Sequence, residues 1–329
     1  MNSPLCWGTL GALGGLCWLR RQIQGYWYDR SFAAPQGAEL RGRVVVVTGG
    51  NAGIGLAAAK LLCALGCHVV VGCRSAAKGA AAVAAISAAG PGSAEFALLD
   101  LCSPRSITAF VSAVRRRHPA VHALLCNAGI SGMGGQGGGE PASAGQLVWQ
   151  ANYLGHWQLV EELRAACRVQ RFASVSSGAH TGATIDFGDV ARPGCSPYGQ
   201  SKLAQIMHMQ ALQRRLDGGA LAVSCTPGFV RTAIITGSVS ALWRAVILLL
   251  WPVYALLGRS PAGGAQTLLH AALAPHAPGD AYFSNCTPKA ATGKDGIAND
   301  EAAQEKLWEL SERMVAEASA KEASSGAKL

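Results

Sequence analysis

The sequence predicts an α/β fold: one domain with a parallel sheet wound on both faces by helices, carried behind an N-terminal membrane anchor. Three observations point there. From Arg43 onward, six short apolar runs alternate with helix-like stretches of ten residues or more. A glycine turn, Thr48 to Gly55, sits between the first run and the first helix-like stretch. The chain, at 329 residues, is long enough to bury one large core. Strand, helix and strand repeated in this way give a parallel sheet covered on both sides.

Composition narrows the setting. Half of the residues are hydrophobic and only 14% are charged, with a mean hydropathy of +0.22, which is apolar for a soluble enzyme. The net charge of +9 comes partly from Arg20-Arg21, Arg41 and Arg43, and Arg115 to Arg117. Such charge either faces solvent or attracts anionic headgroups. No nucleic-acid-binding module accompanies it, so nucleic acid is not expected as a partner. Eleven cysteines lie scattered without CxxC pairs or metal-ligand spacing. They read as reduced core residues, and no metal is expected.

Met1 to Leu19 carry no charge, and Arg20-Arg21 end the run. A bilayer span needs roughly 20 apolar residues, and a cleaved signal peptide would open with a positive segment that is missing here. Basic residues after the run hold that side in the cytosol. The expectation is therefore an anchor over residues 1–21 and a linker over 22–40, with the catalytic body cytosolic on the endoplasmic reticulum or another organelle membrane. A hairpin dipping into one leaflet and an organelle presequence are the alternatives.

The strands follow in order. Val44 to Val47 is the first, and its turn Thr48-Gly49-Gly50-Asn51-Ala52-Gly53-Ile54-Gly55 leads into a helix over Leu56 to Leu65. Glycine is needed there because a side chain would keep a pyrophosphate from the free N–H groups of the helix start. The second strand, His68 to Cys73, ends at Arg74, with no acidic residue before Glu95. An acidic residue about 20 positions past the glycines would favour NAD, and an arginine there accommodates the 2′-phosphate of NADP. NADP(H) is the expected cofactor and NAD(H) the weaker alternative, with Lys78 as a helper. Ala94 to Leu99 is the third strand, followed by Asp100, whose carboxylate can accept from an adenine amino group, and by Leu101. Ser103 caps the next helix, Pro104 opens it, and Arg115 to Arg117 load its far end. Ala123 to Cys126, the fourth strand, ends in Asn127-Ala128-Gly129, and a glycine-rich surface loop spans Gly132 to Gly139.

Chemistry concentrates further along. Asn152-Tyr153-Leu154-Gly155-His156 lies in a predicted helix, and Phe172 to Val175 is a strand ending in Ser176-Ser177-Gly178. Tyr198 and Lys202, four apart at the start of a helix over Leu203 to Leu216, share one helical face. An ammonium near a phenol lowers a pKa that is about 10 when unperturbed, which suits acid/base work. The sixth strand, Leu221 to Cys225, is followed by Pro227-Gly228-Phe229-Val230-Arg231-Thr232.

Taken together and in this order, these motifs resemble the short-chain dehydrogenase/reductase family, over Arg43 to about Cys286 and into the C-terminal tail. The resemblance implies a Rossmann-type fold with a catalytic domain over 41–290 and a C-terminal helix and tail over 291–329. It implies that Gly49, Asn51, Gly53, Ile54 and Gly55 hold the cofactor pyrophosphate. Arg74, Asp100, Leu101, Asn127, Ala128 and Gly129 would flank the cofactor, and Pro227, Gly228, Val230 and Thr232 would border its nicotinamide. Asn152, Ser177, Tyr198 and Lys202 would form a catalytic tetrad, with Asn152 orienting a water that links Lys202 to solvent. Cys73-Arg74-Ser75, Ser176 to His180, Tyr282 to Cys286 and Leu307 to Ser311 resemble the retinol dehydrogenase and lipid-alcohol branch. Cys126 departs from the family, which has Asn before Asn127.

The segment Leu242 to Leu257 has the position of the family's substrate lid, about 232–260. Only 14 uncharged residues separate Arg244 from Arg259, and Pro252 interrupts them, so the segment is too short to span a bilayer. Trp243 and Trp251 suit contact with lipid or with a substrate entering from it. The expected function is interconversion of a lipophilic alcohol and its aldehyde or ketone, retinoid-like or polyisoprenoid. A steroid or general carbonyl reductase, or a nucleotide-binding scaffold without turnover, is the alternative. A homodimer is among the partners expected, along with the membrane. The sequon Asn285-Cys286-Thr287 is expected to stay unmodified on a cytosolic body.

Overall fold

The computed structural model describes residues 40–131, 141–191, 194–230, 258–274 and 278–326. The chain runs β1 (Val44–Thr48), α1 (Gly53–Ala64), β2 (His68–Cys73), α2 (Ala76–Ser87), β3 (Ser93–Leu98), α3 (Pro104–Arg117), β4 (Ala120–Val121) and β5 (Ala123–Cys126). It continues through α4 (Pro141–Trp149), a π-helical turn (Gln150–Leu154), α5 (Gly155–Ala166), β6 (Arg168–Val169), β7 (Arg171–Val175) and α6 (Pro197–Gln213). β8 (Leu221–Thr226), α7 (Pro261–Leu273), β9 (Tyr282–Ser284), β10 (Thr287–Lys289) and α8 (Glu301–Gly326) complete it.

Eight strands form one sheet in the order β10-β9-β8-β7-β5-β1-β2-β3, parallel except for the antiparallel β9–β10 pair. The order reverses between β1 and β5, so the helices after these strands leave on opposite faces and open a crevice at the strand ends. Alternation along the strands serves both faces at once. Val45, Val47, Val69 and Val71 pack with α1, α2 and α7, whereas Val46 and Val70 join the core beneath α3, α5 and α6. Both faces of the sheet are covered by apolar side chains, which explains why the strands read as continuous hydrophobic runs.

The six expected strands all form, within a residue of their expected ends. Ser103 caps α3 as expected, its hydroxyl accepting from Ser106 N–H. The helix that Tyr198 and Lys202 open begins at Pro197, where Ser196 caps it, and ends at Gln213, three residues before the expected Leu216. β4, β6, β9 and β10 had no sequence signal. They are two or three residues long and include Arg168, Pro288 and Lys289, so no period could reveal them.

α8 straps α3 and α6. Glu322 accepts from Ser103 Oγ at 2.6 Å and from Arg105 N–H at 2.8 Å, placing a carboxylate at the positive end of α3. Tyr153 and Ser311 share a buried hydroxyl bond of 2.7 Å. The expected anchor over 1–21, the glycine-rich loop, Thr232 and the lid residues 232–257 lie outside the described residues. Among the described residues, no helix is long and apolar enough to cross a membrane.

Candidate active site

The glycine turn builds the first wall. Gly49 and Gly53 adopt left-handed φ of 66° and 54°, open to glycine and costly for other residues. At Gly55 the reason is space: a Cβ would lie 2.4 Å from Asn127 Nδ2 and 2.5 Å from the Gly49 carbonyl oxygen. α1 starts at Ala52 with no side-chain cap, unlike α2, α3, α6 and α7, which serines cap. Its first N–H groups are thus left for an anion, in keeping with the helix dipole.

Thr48 closes β1 and, fully buried, locks the turn to β5. Its Oγ1 accepts from Asn127 N–H at 2.9 Å and from Ala128 N–H at 3.0 Å, while Asn127 Nδ2 donates to the Thr48 carbonyl at 2.8 Å. On its other side Oγ1 meets His156 Nε2 at 2.9 Å. His156 Nδ1 faces the Asn152 carbonyl at 2.9 Å, and a carbonyl only accepts, so Nδ1 carries the proton. Burial lowers the His156 pKa to about 4. The ring is therefore neutral, and Nε2 accepts from the Thr48 hydroxyl.

These elements surround a cavity of about 710 Å³, within the range of ligand clefts. Gly49, Asn51, Gly53, Ile54, Gly55, Arg74, Asp100, Leu101, Asn127, Ala128, Gly129, Ser177, Tyr198, Lys202, Pro227, Gly228 and Val230 all line it. Arg74 and Lys78 stand exposed at its edge. Asp100 Oδ1 accepts from Cys102 N–H at 2.9 Å. Asn152 is set one layer back and completely buried. Its Oδ1 accepts from Ile130 N–H at 2.8 Å, and its Nδ2 donates to the Ile130 carbonyl at 2.9 Å and to Ser201 Oγ at 3.0 Å. It sits in the π-helical turn, a distortion frequent at functional sites.

The two serines separate by their bonds. Ser176 is buried, its hydroxyl spent on the Lys202 carbonyl at 2.7 Å, whereas Ser177 faces the cavity beside Tyr198 and favours its phenolate. Burial pushes the Tyr198 phenol above its ordinary range, and the neighbouring Ser177 hydroxyl pulls it part of the way back. That corrects the lowered pKa expected from the ammonium alone: Lys202 Nζ lies 5.5 Å from the phenol ring centre, and desolvation of a buried phenolate outweighs it. The same burial lowers Lys202 to about 8.

Lys202 Nζ donates to the Val175 carbonyl at 2.8 Å and to Gln205 Oε1 at 3.0 Å. Gln205 Nε2 donates to the Asn152 carbonyl at 2.6 Å. Gln205, a residue whose position in the sequence gave no sign of a role, thus bridges Lys202 and the Asn152 carbonyl. Thr48, His156 and Arg259 likewise carried no expected role. The buried Arg259 donates to the Pro227 carbonyl at 3.4 Å and to Asn285 Oδ1 at 3.0 Å, fastening the loop after β8 to the sequon residue. One other grouping is visible only in three dimensions: His68, Glu95 and His118 gather near the start of β2, with Arg117 on Glu95 at 3.0 Å.

Comparison with known proteins agrees with this architecture. Residues 43–242 match the short chain dehydrogenase family. The chain is 33% identical over 303 residues to human dehydrogenase/reductase SDR family member 13, covering 88% of this chain and 78% of that one. It is 30% identical over 334 residues to mouse retinol dehydrogenase 14, covering 93% and 96%, and 31% identical over 301 residues to zebrafish polyprenol dehydrogenase, covering 86% and 90%. Among solved structures, an uncharacterized protein from Mycobacterium paratuberculosis superposes with a TM-score of 0.64 at 27% identity, over 86% of this chain and 96% of that one. With this family matched over residues 43–242 and relatives at 30% identity or more over most of the chain, the chain belongs to the short-chain dehydrogenase/reductase family, in its retinol dehydrogenase branch, and is an oxidoreductase of CH–OH and C=O groups.

Proposed function

We propose that this enzyme interconverts a lipophilic alcohol and its aldehyde or ketone, retinoid-like or polyisoprenoid, with NADP(H). The observation that carries the reading is that Ser177, Tyr198 and Lys202 line the same cavity as the uncapped start of α1 and the glycine turn. The cleft fits a dinucleotide: the turn runs through the left-handed Gly49 and Gly53 with no side chain in the way, and the N–H groups at the start of α1 have no side-chain cap and suit a pyrophosphate. When bound, the nicotinamide would supply or accept the hydride; the chain supplies position and proton.

Gly49, Asn51, Gly53, Ile54 and Gly55 would hold the pyrophosphate. Asp100 and Leu101 would border the adenine, and Asn127, Ala128, Gly129, Pro227, Gly228, Val230 and Thr232 the rest. Arg74, with Lys78, would meet a 2′-phosphate. Ser177 would donate to the substrate oxygen, and Tyr198, kept protonated by burial, would give that oxygen its proton in reduction and retrieve it in oxidation. Lys202 has two donors committed to Val175 and Gln205, which leaves the third for the ribose.

The lipophilic substrate is supported by the names of the retinol and polyprenol dehydrogenases it resembles and by the apolar run Leu242 to Leu257. The uncharged stretch Met1 to Leu19 supports attachment to an organelle membrane with the catalytic body in the cytosol. The test is turnover of all-trans-retinal and of a polyprenal with NADPH and with NADH, in the parent and in Tyr198→Phe. Equal turnover by both proteins overturns the tetrad, and a preference for NADH overturns the role of Arg74.

A further inference from the structure

Gln205 lies three residues after Lys202, one turn along α6, and is 1% exposed. Its amide can sit only one way round. An ammonium only donates and a carbonyl only accepts, so Oε1 must face Lys202 Nζ and Nε2 must face the Asn152 carbonyl. The distances of 3.0 Å and 2.6 Å are those of two made hydrogen bonds. The Asn152 carbonyl receives a second donor, His156 Nδ1, whose ring reaches Thr48 and the turn after β1.

We infer that Gln205 is a positioning residue that ties the Lys202 ammonium to the Asn152 carbonyl and thereby helps hold Lys202 charged and aimed at the cavity. This rests on the reading of Lys202 as a member of the catalytic set.

The balance around Lys202 shows why one amide matters. The side chain is completely buried, and that burial opposes its charge. The titratable groups that face it are Cys126 on β5, Cys225 on β8, His156 on α5 and Tyr198 on α6 itself. Burial pushes both thiols up to about 12 and His156 down to about 4, and it keeps the phenol protonated. None of them is an anion near neutral pH. The charge of Lys202 is therefore supported by two neutral oxygens, Val175 O and Gln205 Oε1, and removal of one of them takes away half of that support. An amide does not readily pass a proton onward, so Gln205 also closes the lysine from behind. The proton that Tyr198 exchanges must then arrive from the cavity side.

The experiment uses the full-length chain, assayed with all-trans-retinal and NADPH across the pH range. Gln205→Met keeps length and volume but loses the acceptor. The fall in kcat/KM on the alkaline side, where Lys202 loses its proton, should move to lower pH by about one unit, the size of a lost hydrogen bond to a charged group. Gln205→Glu supplies an anion and should move that fall to higher pH. Circular dichroism and an NADPH-binding titration establish that each variant is folded. Opposite displacements support the proposal. A uniform drop in activity with both variants falling off at the parent's pH overturns it, because that is the result for a residue that only packs. If Gln205→Met does not fold, Gln205→Glu decides alone, and an unmoved alkaline limb refutes the assignment. Tyr198→Phe is run alongside: full activity there defeats the tetrad itself, whatever Gln205 does, and so separates the two failures.

Discussion

Replacing Thr48 with Val removes one oxygen and keeps the shape, so it tests the junction between β1 and β5. The oxygen has two amide donors, Asn127 and Ala128, and one imidazole partner, His156. Asn127 N–H also reaches the Leu125 carbonyl at 3.0 Å and retains that bond, so the groups orphaned are Ala128 N–H and His156 Nε2. Each unsatisfied buried group costs about 1–3 kcal/mol. Ala128 lines the cavity and is within reach of water, so the sum belongs at the low end, roughly 2–4 kcal/mol. At about 2–4 °C per kcal/mol for a chain of this class, the melting temperature should fall by roughly 4–16 °C. The segment Asn127 to Gly129 loses its tether to β1, so NADPH affinity should fall as well. Differential scanning calorimetry reads the first effect and tryptophan quenching by NADPH the second. Thr48→Ser keeps the oxygen and should recover most of both. A valine variant that melts within about 1 °C of the parent would refute the reasoning. So would a serine variant as damaged as the valine one, since the methyl group would then be what matters.

Gly55→Ala should leave the sheet folded and abolish binding of NADPH, because its Cβ would lie 2.4 Å from Asn127 Nδ2 and displace the amide or the Gly49 carbonyl; normal affinity by calorimetric titration contradicts the cradle. Stability should decline as pH falls. His156 and His208 are buried, with pKa lowered to about 4 and about 3, so the stability they contribute is complete above an unfolded value of about 6.5 and is lost as pH drops toward the folded values. Each contributes a slope of roughly 1.4 kcal/mol per pH unit in that window. Urea midpoints that agree at about pH 7 and about pH 5 would sink this prediction, and His208→Phe should flatten the slope. Tyr153→Phe breaks the bond to Ser311 and should cost about 1 kcal/mol, seen as a lower urea midpoint with unchanged NADPH affinity.

The fold and the front of the site were legible in the chain because their causes are local. Val44 to Val47 is apolar along its length because both faces of the sheet are covered, and a run of this kind announces itself. The glycines at 49, 53 and 55 answer to backbone angles and contacts around one turn. Tyr198 and Lys202 share a face because helical spacing puts them there. Arg74 and Asp100 follow from where strands end. The short strands β9 and β10, by contrast, carry no period to read.

What supports the front of the site comes from far along the chain. Thr48 meets His156 and Asn127, and Asn152 meets Gln205. His and Gln in a helix have many ordinary uses, so nothing in their spacing marks them. The phenol shift also depended on tertiary packing: the sequence placed an ammonium nearby, but only the folded chain shows how much water is excluded, and desolvation of the phenolate outweighs the charge. Periodicity, turns and helical spacing are properties of neighbours in sequence and could be read without coordinates. Burial and long-range hydrogen bonds belong to the packed chain, and these decided which side chains hold Lys202 and Asn127 in place.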